Sequence, residues 1–214
     1  TTIISGAPMY LDTIGLLGLR STLNTLSESN RNVLVFADRF PLTTSSISAA
    51  TEQVDIALEE FGDLVVSVSQ ESHTSPHFWA LDAESIIVGP ASDTGILQRF
   101  EGFPEYVEFI DGRAPNGRVE QELGVLSAEV AVPFDRSELL GVNLDDDIWL
   151  AASPSDPPYL KLRVVGRFRP HDLQEEFWFG LGHEATEPPA PSLVARHPLP
   201  LFVGADDSLF GLLT

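Results

Sequence analysis

The first third of the chain carries apolar residues first at helical and then at strand spacing. Between residues 9 and 26 they recur every three or four positions, which predicts an amphipathic entry helix. Residues 32–37 and 63–69 are predicted strands, because both are short apolar runs bounded by turn residues. Between them a helix is predicted from about Ser46, whose hydroxyl suits an N-cap, to the turn at Gly62. Together these elements form an α/β unit.

From residue 85 onward the pattern favours short strands separated by turns. Strands are predicted at 85–89, 106–110, 129–132, 148–151, 159–168 and 200–203, with short helices at 96–100, 137–140 and 207–213. The turn signals that follow Gly112 at short intervals indicate a small β-rich unit. Residues 187–200 are rich in proline, which predicts a loop or an extended return of the chain.

The balance of charge narrows the classes of partner. The chain has 32 acidic and 12 basic residues, a formal net charge of −20. Nucleic-acid binding needs a basic surface to neutralise phosphates, so that function is excluded. Binding to an anionic bilayer surface is disfavoured for the same reason. A cationic partner remains open, beside the simpler interpretation that the charge keeps the surface soluble.

Cysteine usage and hydropathy bear on the cellular compartment. The chain contains no cysteine, which excludes disulfides, thiolate metal sites and cysteine nucleophiles. No apolar run approaches the roughly 18–20 residues that cross a bilayer, and residues 1–6 lack the features of a signal peptide. If the chain belongs to a membrane protein, we expect its membrane segments to lie outside these residues.

Catalytic and metal-binding patterns are weak. His171 and His183 have acidic neighbours, and an exposed polar loop explains that cluster most simply. A metal-dependent hydrolase would need two or more of His171, His183 and His197 to converge. The acidic run at 145–147 lacks the alternating oxygens, central glycine and terminal glutamate of an EF-hand loop. The sequence contains no nucleophile elbow and no phosphate loop. We therefore predict a protein that is not an enzyme and that holds no cofactor or metal.

A cluster of large aromatic residues is the candidate contact surface. Phe177, Trp178 and Phe179 follow two glutamates and precede a glycine, in a segment with the composition of a loop. Exposed aromatic side chains often mark binding surfaces, so this segment is a candidate surface for a partner or ligand. The alternative is that the rings fill an interface between two parts of the fold.

Three motifs follow one another in the middle of the chain. They are Phe109-Ile110-Asp111-Gly112-Arg113-Ala114-Pro115, then Glu129-Val130-Ala131-Val132 followed by the stretch from Leu139 to Ile148, and finally Leu162-Arg163-Val164-Val165-Gly166-Arg167-Phe168. In order and spacing they resemble the inserted subdomain of MacB/FtsX-like ABC-transporter permeases, over roughly residues 105–170.

The motif residues are expected to shape the backbone. We expect Gly112 and Gly166 where a strand turns or approaches another backbone closely. Asp146 or Asp147 is expected to accept backbone N–H groups in the turn before Ile148, and Arg113 to pair with a nearby carboxylate. Asp145 stands where the family has glycine, and aspartate tolerates the left-handed backbone better than most residues. The complete predicted structural set is Gly112, Arg113, Pro115, Gly141, Asp146 and Gly166.

The resemblance implies an α+β fold in two parts, like the MacB periplasmic core. Residues 1–107 with 195–214 would form a porter-like α/β subdomain that begins with the entry helix at 9–26. Residues 108–170 would form an inserted small β-rich subdomain. Residues 171–194 would provide a helix and a proline-rich connection.

The resemblance also implies a function. The chain would be the extracytoplasmic domain of a bacterial permease in the cell membrane, linked through flanking transmembrane helices to a cytoplasmic ABC ATPase. Permeases of this kind act as pairs. Our hypothesis is that the domain couples ATP-driven motion to a substrate or an extracytoplasmic partner. The alternative is a secreted or surface ligand-binding module without a transport role, in which Trp178 lines the pocket.

Overall fold

The computed structural model of the protein describes most of the chain between residues 44 and 204. The described residues are 44–59, 61–62, 65, 68, 70–83, 94–122, 124–153, 156–173, 175–178, 198–204, 209 and 212. The predicted entry helix at 9–26, the predicted strands at 32–37 and 85–89, and Phe179, His183 and His197 lie outside these residues.

Two α-helices and nine strands have defined bounds within this part of the chain. The helices are α1 (Thr44–Glu59) and α2 (Phe134–Leu140), and single 3-10 turns cover Phe103–Glu105 and Glu176–Trp178. The strands are β1 (Glu71–His73), β2 (His77–Ala80), β3 (Thr94–Phe100), β4 (Val107–Gly112), β5 (Val119–Glu122), β6 (Val125–Pro133), β7 (Asp147–Ala151), β8 (Leu160–Pro170) and β9 (Leu199–Val203). Helix α1 confirms the helix predicted from about Ser46. Neither helix is long and apolar enough to cross a lipid bilayer, a statement that covers the described residues only.

Six of the strands close into a barrel. Around the ring their order is β8, β7, β2, β3, β9 and β6, and β6 pairs with β8 to complete the circle. The β6–β8 and β3–β9 pairs are parallel, and the other four pairs are antiparallel. Strand β4 pairs with β8, β5 with β6 and β1 with β3. Closure of the ring removes the open sheet edges that would otherwise be exposed.

The barrel consists of two halves that are built alike. Strand β8 pairs along one edge with its parallel neighbour β6, while its other edge is shared by β7, at residues 160–163, and β4, at residues 166–170. Strand β3 repeats this arrangement with its parallel neighbour β9 on one edge. Its other edge is shared by β2, at residues 94–95, and β1, at residues 98–100.

Aliphatic side chains fill the inside of the barrel. Side chains alternate between the two faces of a strand, so every second residue points inward. The buried cluster contains Leu97, Leu126, Ala128, Val130, Val132, Val142, Ile148, Leu150, Leu160, Leu162, Val164, Leu199, Leu201, Val203 and Leu209. Because five of the six barrel strands contribute to this cluster and Trp79 of the sixth packs against it, the cluster lies inside the ring.

Aromatic side chains cover the other face of the same strands. Phe202 lies between the inward-facing residues Leu201 and Val203 of β9, so its ring points outward. It stacks on Phe103 with a distance of 4.8 Å between ring centroids, and Phe168 meets it edge to face at 5.0 Å. The whole cluster is Phe100, Phe103, Val107, Ala131, Phe168, Phe177, Trp178 and Phe202. Two cores of different chemistry therefore share one wall of strands.

The predicted α+β fold, with a porter-like α/β subdomain and an inserted β-rich subdomain, is wrong. The described residues form a mostly β structure around the closed barrel. Strands β2, β3 and β9 were assigned to the α/β subdomain, but they close the ring together with the strands of the predicted insertion. Residues 96–100, predicted as a helix, belong to β3, because this segment pairs with β1 along one edge and with β9 along the other. Pairing of this kind overrides local propensity.

Gly112 and Gly166 meet where β4 joins the edge of β8. The two glycines are paired in register, and Gly112 has a φ of +75°. A Cβ atom on Gly166 would overlap the carbonyl oxygen of Arg113, and one on Gly112 would overlap that of Val165. The close backbone approach predicted for these two glycines is therefore confirmed.

The substitution Gly166→Ala tests this approach. Because the added methyl group would meet a backbone atom that cannot rotate away, we expect the free energy of unfolding to fall by about 3 kcal/mol or more. Urea unfolding, followed by far-UV circular dichroism, measures the change.

The matched control is Gly124→Ala in the turn between β5 and β6. Gly124 has a φ of +85°, but no atom lies within 4 Å of a Cβ built there. Only the left-handed backbone then opposes alanine, which costs about 1 kcal/mol. Equal losses in the two variants would show that the backbone crossing is not under steric constraint.

Candidate functional site

The motif residues assemble around the junction of β4, β6 and β8. The backbone N–H of Arg113 donates to the carbonyl oxygen of Val165 at 2.8 Å, which holds the end of β4 against β8. From there the guanidinium of Arg113 reaches Glu129, on the neighbouring strand β6. Residues 113–118, which contain the half-buried Pro115, connect β4 to β5 across this junction.

The Arg113–Glu129 pair fastens this connecting segment. The two side chains form a bidentate pair, with 2.7 Å between Nη1 of Arg113 and Oε2 of Glu129. The backbone N–H of Asn116 donates to the same carboxylate oxygen at 3.0 Å. The hydrogen bonds from Arg113 lower the pKa of the Glu129 carboxyl below its ordinary value of 4.5, against partial burial, which raises it. The carboxylate pairing expected for Arg113 is therefore confirmed.

A second turn closes the other side of the junction. Gly141 ends α2 with a φ of +70°, and Asp145 adopts a φ of +67°. The Asp146 carboxylate accepts the backbone N–H of Asn143 at 2.7 Å, as the sequence predicts for this turn. The backbone N–H of Asp145 then donates to the carbonyl oxygen of Val164 at 2.8 Å. This turn therefore occupies the edge of β8 between β7 and β4.

Ion pairs neutralise the basic side chains around the junction. Arg167 lies between Asp111 and Glu138 and forms hydrogen bonds with both, which raise the pKa of its guanidinium. The carboxylate of Asp147 is shared by Lys161 and Arg163, at 2.7 and 2.9 Å, and Arg169 pairs with Asp135 at 2.7 Å. These cations hold strands and turns together, since each is matched to an acidic group on a neighbouring element.

Arg136 is buried, with only 3% of its surface exposed. Its Nη2 donates to the carbonyl oxygen of Pro198 at 3.1 Å, and this bond connects α2 to the residue before β9. Burial lowers the pKa of the Arg136 guanidinium. The neighbouring Ser137 is fully buried, and its hydroxyl donates to the carbonyl oxygen of Phe134 at 2.8 Å.

Asp146 and Asp147, from the acidic run considered for metal binding, are engaged within the fold. Asp146 bonds to Asn143 within its own turn, whereas Asp147 pairs with cations of β8. In the part of the chain that the structure describes, no three histidine, aspartate or glutamate side chains form an arrangement that could hold a metal ion. His171 belongs to this part, and His183 and His197 do not.

Phe177 and Trp178 belong to the aromatic cluster outside the barrel. Phe177 stacks on Tyr106 with a centroid distance of 3.8 Å, and Trp178 is fully buried against Phe100 and Phe202. The two rings therefore fill an interface inside the fold, which is the alternative that the sequence left open for them. They present no exposed aromatic surface in this structure.

A hydrogen bond between His77 and Tyr159 was not predicted from the sequence. The Tyr159 hydroxyl and Nδ1 of His77 are 2.8 Å apart, which joins the start of β2 to the start of β8. Burial lowers the pKa of His77 and raises that of Tyr159 to about 12. The two residues are 82 positions apart, so no local pattern indicates the contact.

The partners of the motif cations also escaped the sequence analysis. Glu129, Asp111 and Glu138 accept from Arg113 and Arg167, but the sequence assigned no role to any of them. The available signal was Glu129 itself, which interrupts the apolar strand β6 and therefore needs a partner.

Comparison with known proteins does not supply a function. No family model matches the sequence, and neither a curated protein nor a solved structure matches it. The functional argument therefore rests on the chain's own geometry.

The Glu129→Gln variant tests the fastening of residues 113–118. At neutral pH we expect its free energy of unfolding to be lower than that of the wild type by about 1 kcal/mol. The loss is this small because Arg113 is largely exposed and solvent screens the ion pair. The pKa of the Glu129 carboxyl is lower in the folded than in the unfolded protein, so its ionisation stabilises the fold fully at pH values above the unfolded-state pKa. This stabilisation is lost as the pH falls through the folded-state pKa. The difference should therefore shrink between neutral pH and pH values below 4.5.

Urea unfolding of both proteins across this pH range provides the measurement. Arg113→Gln is the reciprocal control, and it should remove the same pH-dependent difference. A difference that stayed constant down to strongly acidic pH would show that the carboxylate charge of Glu129 is not what fastens the segment.

Proposed function

We propose that this chain is the extracytoplasmic domain of a MacB/FtsX-like ABC-transporter permease. Its role is to transmit motion from membrane helices, which lie outside these residues, to a substrate or partner. The proposal assigns no reaction to the domain itself. A cytoplasmic ATPase supplies the energy, and a second permease subunit completes the transporter.

The observation that supports this role most directly is the path of the chain into and out of the barrel sheet. Strand β1 begins at Glu71, which pairs with Phe100 at the end of β3. Strand β9 runs parallel to β3 and pairs Phe202 with Gln98, so it ends beside the same end of β3. The two connections flank β3 and are separated by two strand spacings, about 10 Å. Both flanking segments can therefore attach to one surface, as a domain inserted between membrane helices requires.

The motif residues support the exit connection. Gly204 follows β9, and a Cβ atom on it would overlap the backbone of Gly117. Gly117 belongs to residues 113–118, which Arg113 fastens to Glu129 on β6. A force that reaches the end of β9 would therefore pass through this backbone contact to residues 113–118. From there the Arg113–Val165 hydrogen bond leads to β8, and the Arg113–Glu129 pair leads to β6. Arg113 and Glu129, which fasten the segment that receives this contact, belong to the motifs that resemble the permease family.

The closed barrel favours movement of the domain as one body. Each barrel strand is hydrogen-bonded on both edges, and the interior is packed with aliphatic side chains. Packed interiors have low compressibility and transmit displacement with little local deformation. Motion that is applied at the Phe100 end of β3 would therefore be carried through the barrel.

The sidedness of the domain can be tested with a single introduced cysteine, since the chain has none of its own. Ser75 is exposed, and we expect Ser75→Cys in the full-length protein to react with a membrane-impermeant maleimide in intact cells. Any cysteine outside these 214 residues is first replaced. Ser137→Cys is the matched control, because Ser137 is fully buried and should react only after denaturation.

Labelling of Ser75→Cys only after cell lysis would contradict an extracytoplasmic position. A second measurement addresses transport, namely co-purification of the full-length protein with an ABC ATPase from detergent-solubilised membranes. Labelling from outside without any associated ATPase would favour the secreted or surface ligand-binding module instead.

A further inference from the structure

A groove runs along one face of helix α1. It has a volume of about 550 Å³, and the described residues that line it belong to α1, together with Gln70, the residue before β1. The residues of α1 that line it are Ile47, Ser48, Thr51, Glu52, Asp55, Ile56 and Glu59. These positions form a stripe two residues wide over three helical turns, a length of about 18 Å. The groove is therefore long enough to bind one face of another helix.

The charges in the groove oppose the stability of α1 itself. Glu52, Asp55 and Glu59 lie three and four residues apart, a spacing at which like charges repel each other. All three are in the second half of the helix, whose C-terminal end already carries the negative pole of the backbone dipole. The last turn contains no basic residue. A cation placed in the groove would relieve both sources of repulsion.

Among the described residues, the three groove carboxylates differ from the acidic groups paired around β8 in having no cationic partner. Arg113, Arg163, Arg167, Arg169 and Lys161 are each matched to an acidic group. Within the described residues, none of the three groove carboxylates is paired in this way. Three carboxylates without a cationic partner among the described residues therefore lie along one groove.

The apolar part of the groove indicates that its occupant is more than a small cation. Ile56 has 53% of its surface exposed, whereas Ile47, in the same stripe, is buried. The groove residues do not form a metal site, because no three acidic or histidine side chains converge among the described residues. Apolar side chains flanked by carboxylates along a helix match an amphipathic helix that bears basic residues beside its apolar face.

We propose that this groove binds a basic amphipathic helix of a partner protein. Lysine or arginine side chains pair with Glu52, Asp55 and Glu59, and an apolar side chain of the partner covers Ile56. This inference goes beyond the proposed function and does not depend on which side of a membrane the domain occupies. Failure of the cysteine-labelling test would leave it intact, and failure of the binding test below would leave the permease proposal intact.

The probe is a fluorescein-labelled peptide of about 18 residues, long enough to form a helix. Its leucines are placed on one helical face and its lysines along the borders of that face. Fluorescence anisotropy with the 214-residue chain measures binding at low and at physiological ionic strength. We expect saturable binding, which weakens as salt screens the charges. A peptide of the same composition, with the leucines scattered around the helix, should bind about tenfold more weakly, because it cannot cover Ile56.

Two triple variants of equal net charge separate the groove from the general acidity of the chain. Glu52→Gln, Asp55→Asn and Glu59→Gln neutralise the groove, and we expect about tenfold weaker binding from the loss of three ion pairs. The control replaces three exposed acidic residues elsewhere, as Glu101→Gln, Glu105→Gln and Glu120→Gln, and should change the affinity less than about twofold.

A loss of folding does not account for weaker binding by the groove variant, because removing like charges should raise the helicity of α1. Circular dichroism checks this expectation. Ile56→Ser should weaken binding about threefold without changing any charge. Equal losses in the two triple variants, equal binding of the scattered peptide, or binding of spermine as tight as that of the peptide would each overturn the proposal.

Discussion

The junction on strand β8 is the constraint on which the rest of the described structure depends. One edge of β8 is occupied by β6, so β7 and β4 must share the other edge, with the turn at residues 143–146 between them. There is room for this arrangement only because Gly112 and Gly166 have no side chains where the backbones meet. The parallel pairing of β6 with β8 closes the barrel, and the junction allows β8 to take part in that pairing over most of its length.

The separation of aliphatic and aromatic side chains follows from the geometry of the barrel. The inside of a six-stranded ring is narrow, and branched aliphatic side chains fill it in layers from all directions. The outer face of β3, β6 and β9 has more room, and there the rings of Phe103, Phe168 and Phe202 pack in stacked and edge-to-face pairs. Phe177 and Trp178 cover this outer cluster, which explains why they are buried although they lie in an irregular segment.

Electrostatics divides the described surface into two parts. Around the β8 junction each acidic group that faces a basic side chain has a structural use, as in the contacts of Arg167 with Asp111 and Glu138. Along α1 the acidic groups have no such use and oppose the helix that carries them. The acidic residues behind the net charge of −20 are therefore paired in one region of the described surface and unpaired in another. Near the junction the negative charge is partly balanced within the fold, and along α1 it has no cationic partner among the described residues.

The sequence determined the local features of this protein, and the tertiary structure decided how they are assembled. Helix α1, the close approach at Gly112 and Gly166, the left-handed turn at Asp145 and the pairing of Arg113 with a carboxylate were all predictable. Apart from the helix, they follow from properties of single residue types, namely the steric freedom of glycine, the tolerance of aspartate for the left-handed backbone and the charge of arginine. Which segments supply the partners, Gly166 for Gly112 and Glu129 for Arg113, was decided by the tertiary structure.

The closed barrel, the placement of residues 96–100 in a strand, the inward packing of Trp178 and the contact between His77 and Tyr159 were decided only by the tertiary structure. Each of them depends on which segments pair across long sequence separations. A strand carries the same alternating pattern whichever neighbour it acquires, so local periodicity does not distinguish a closed ring from two separate sheets.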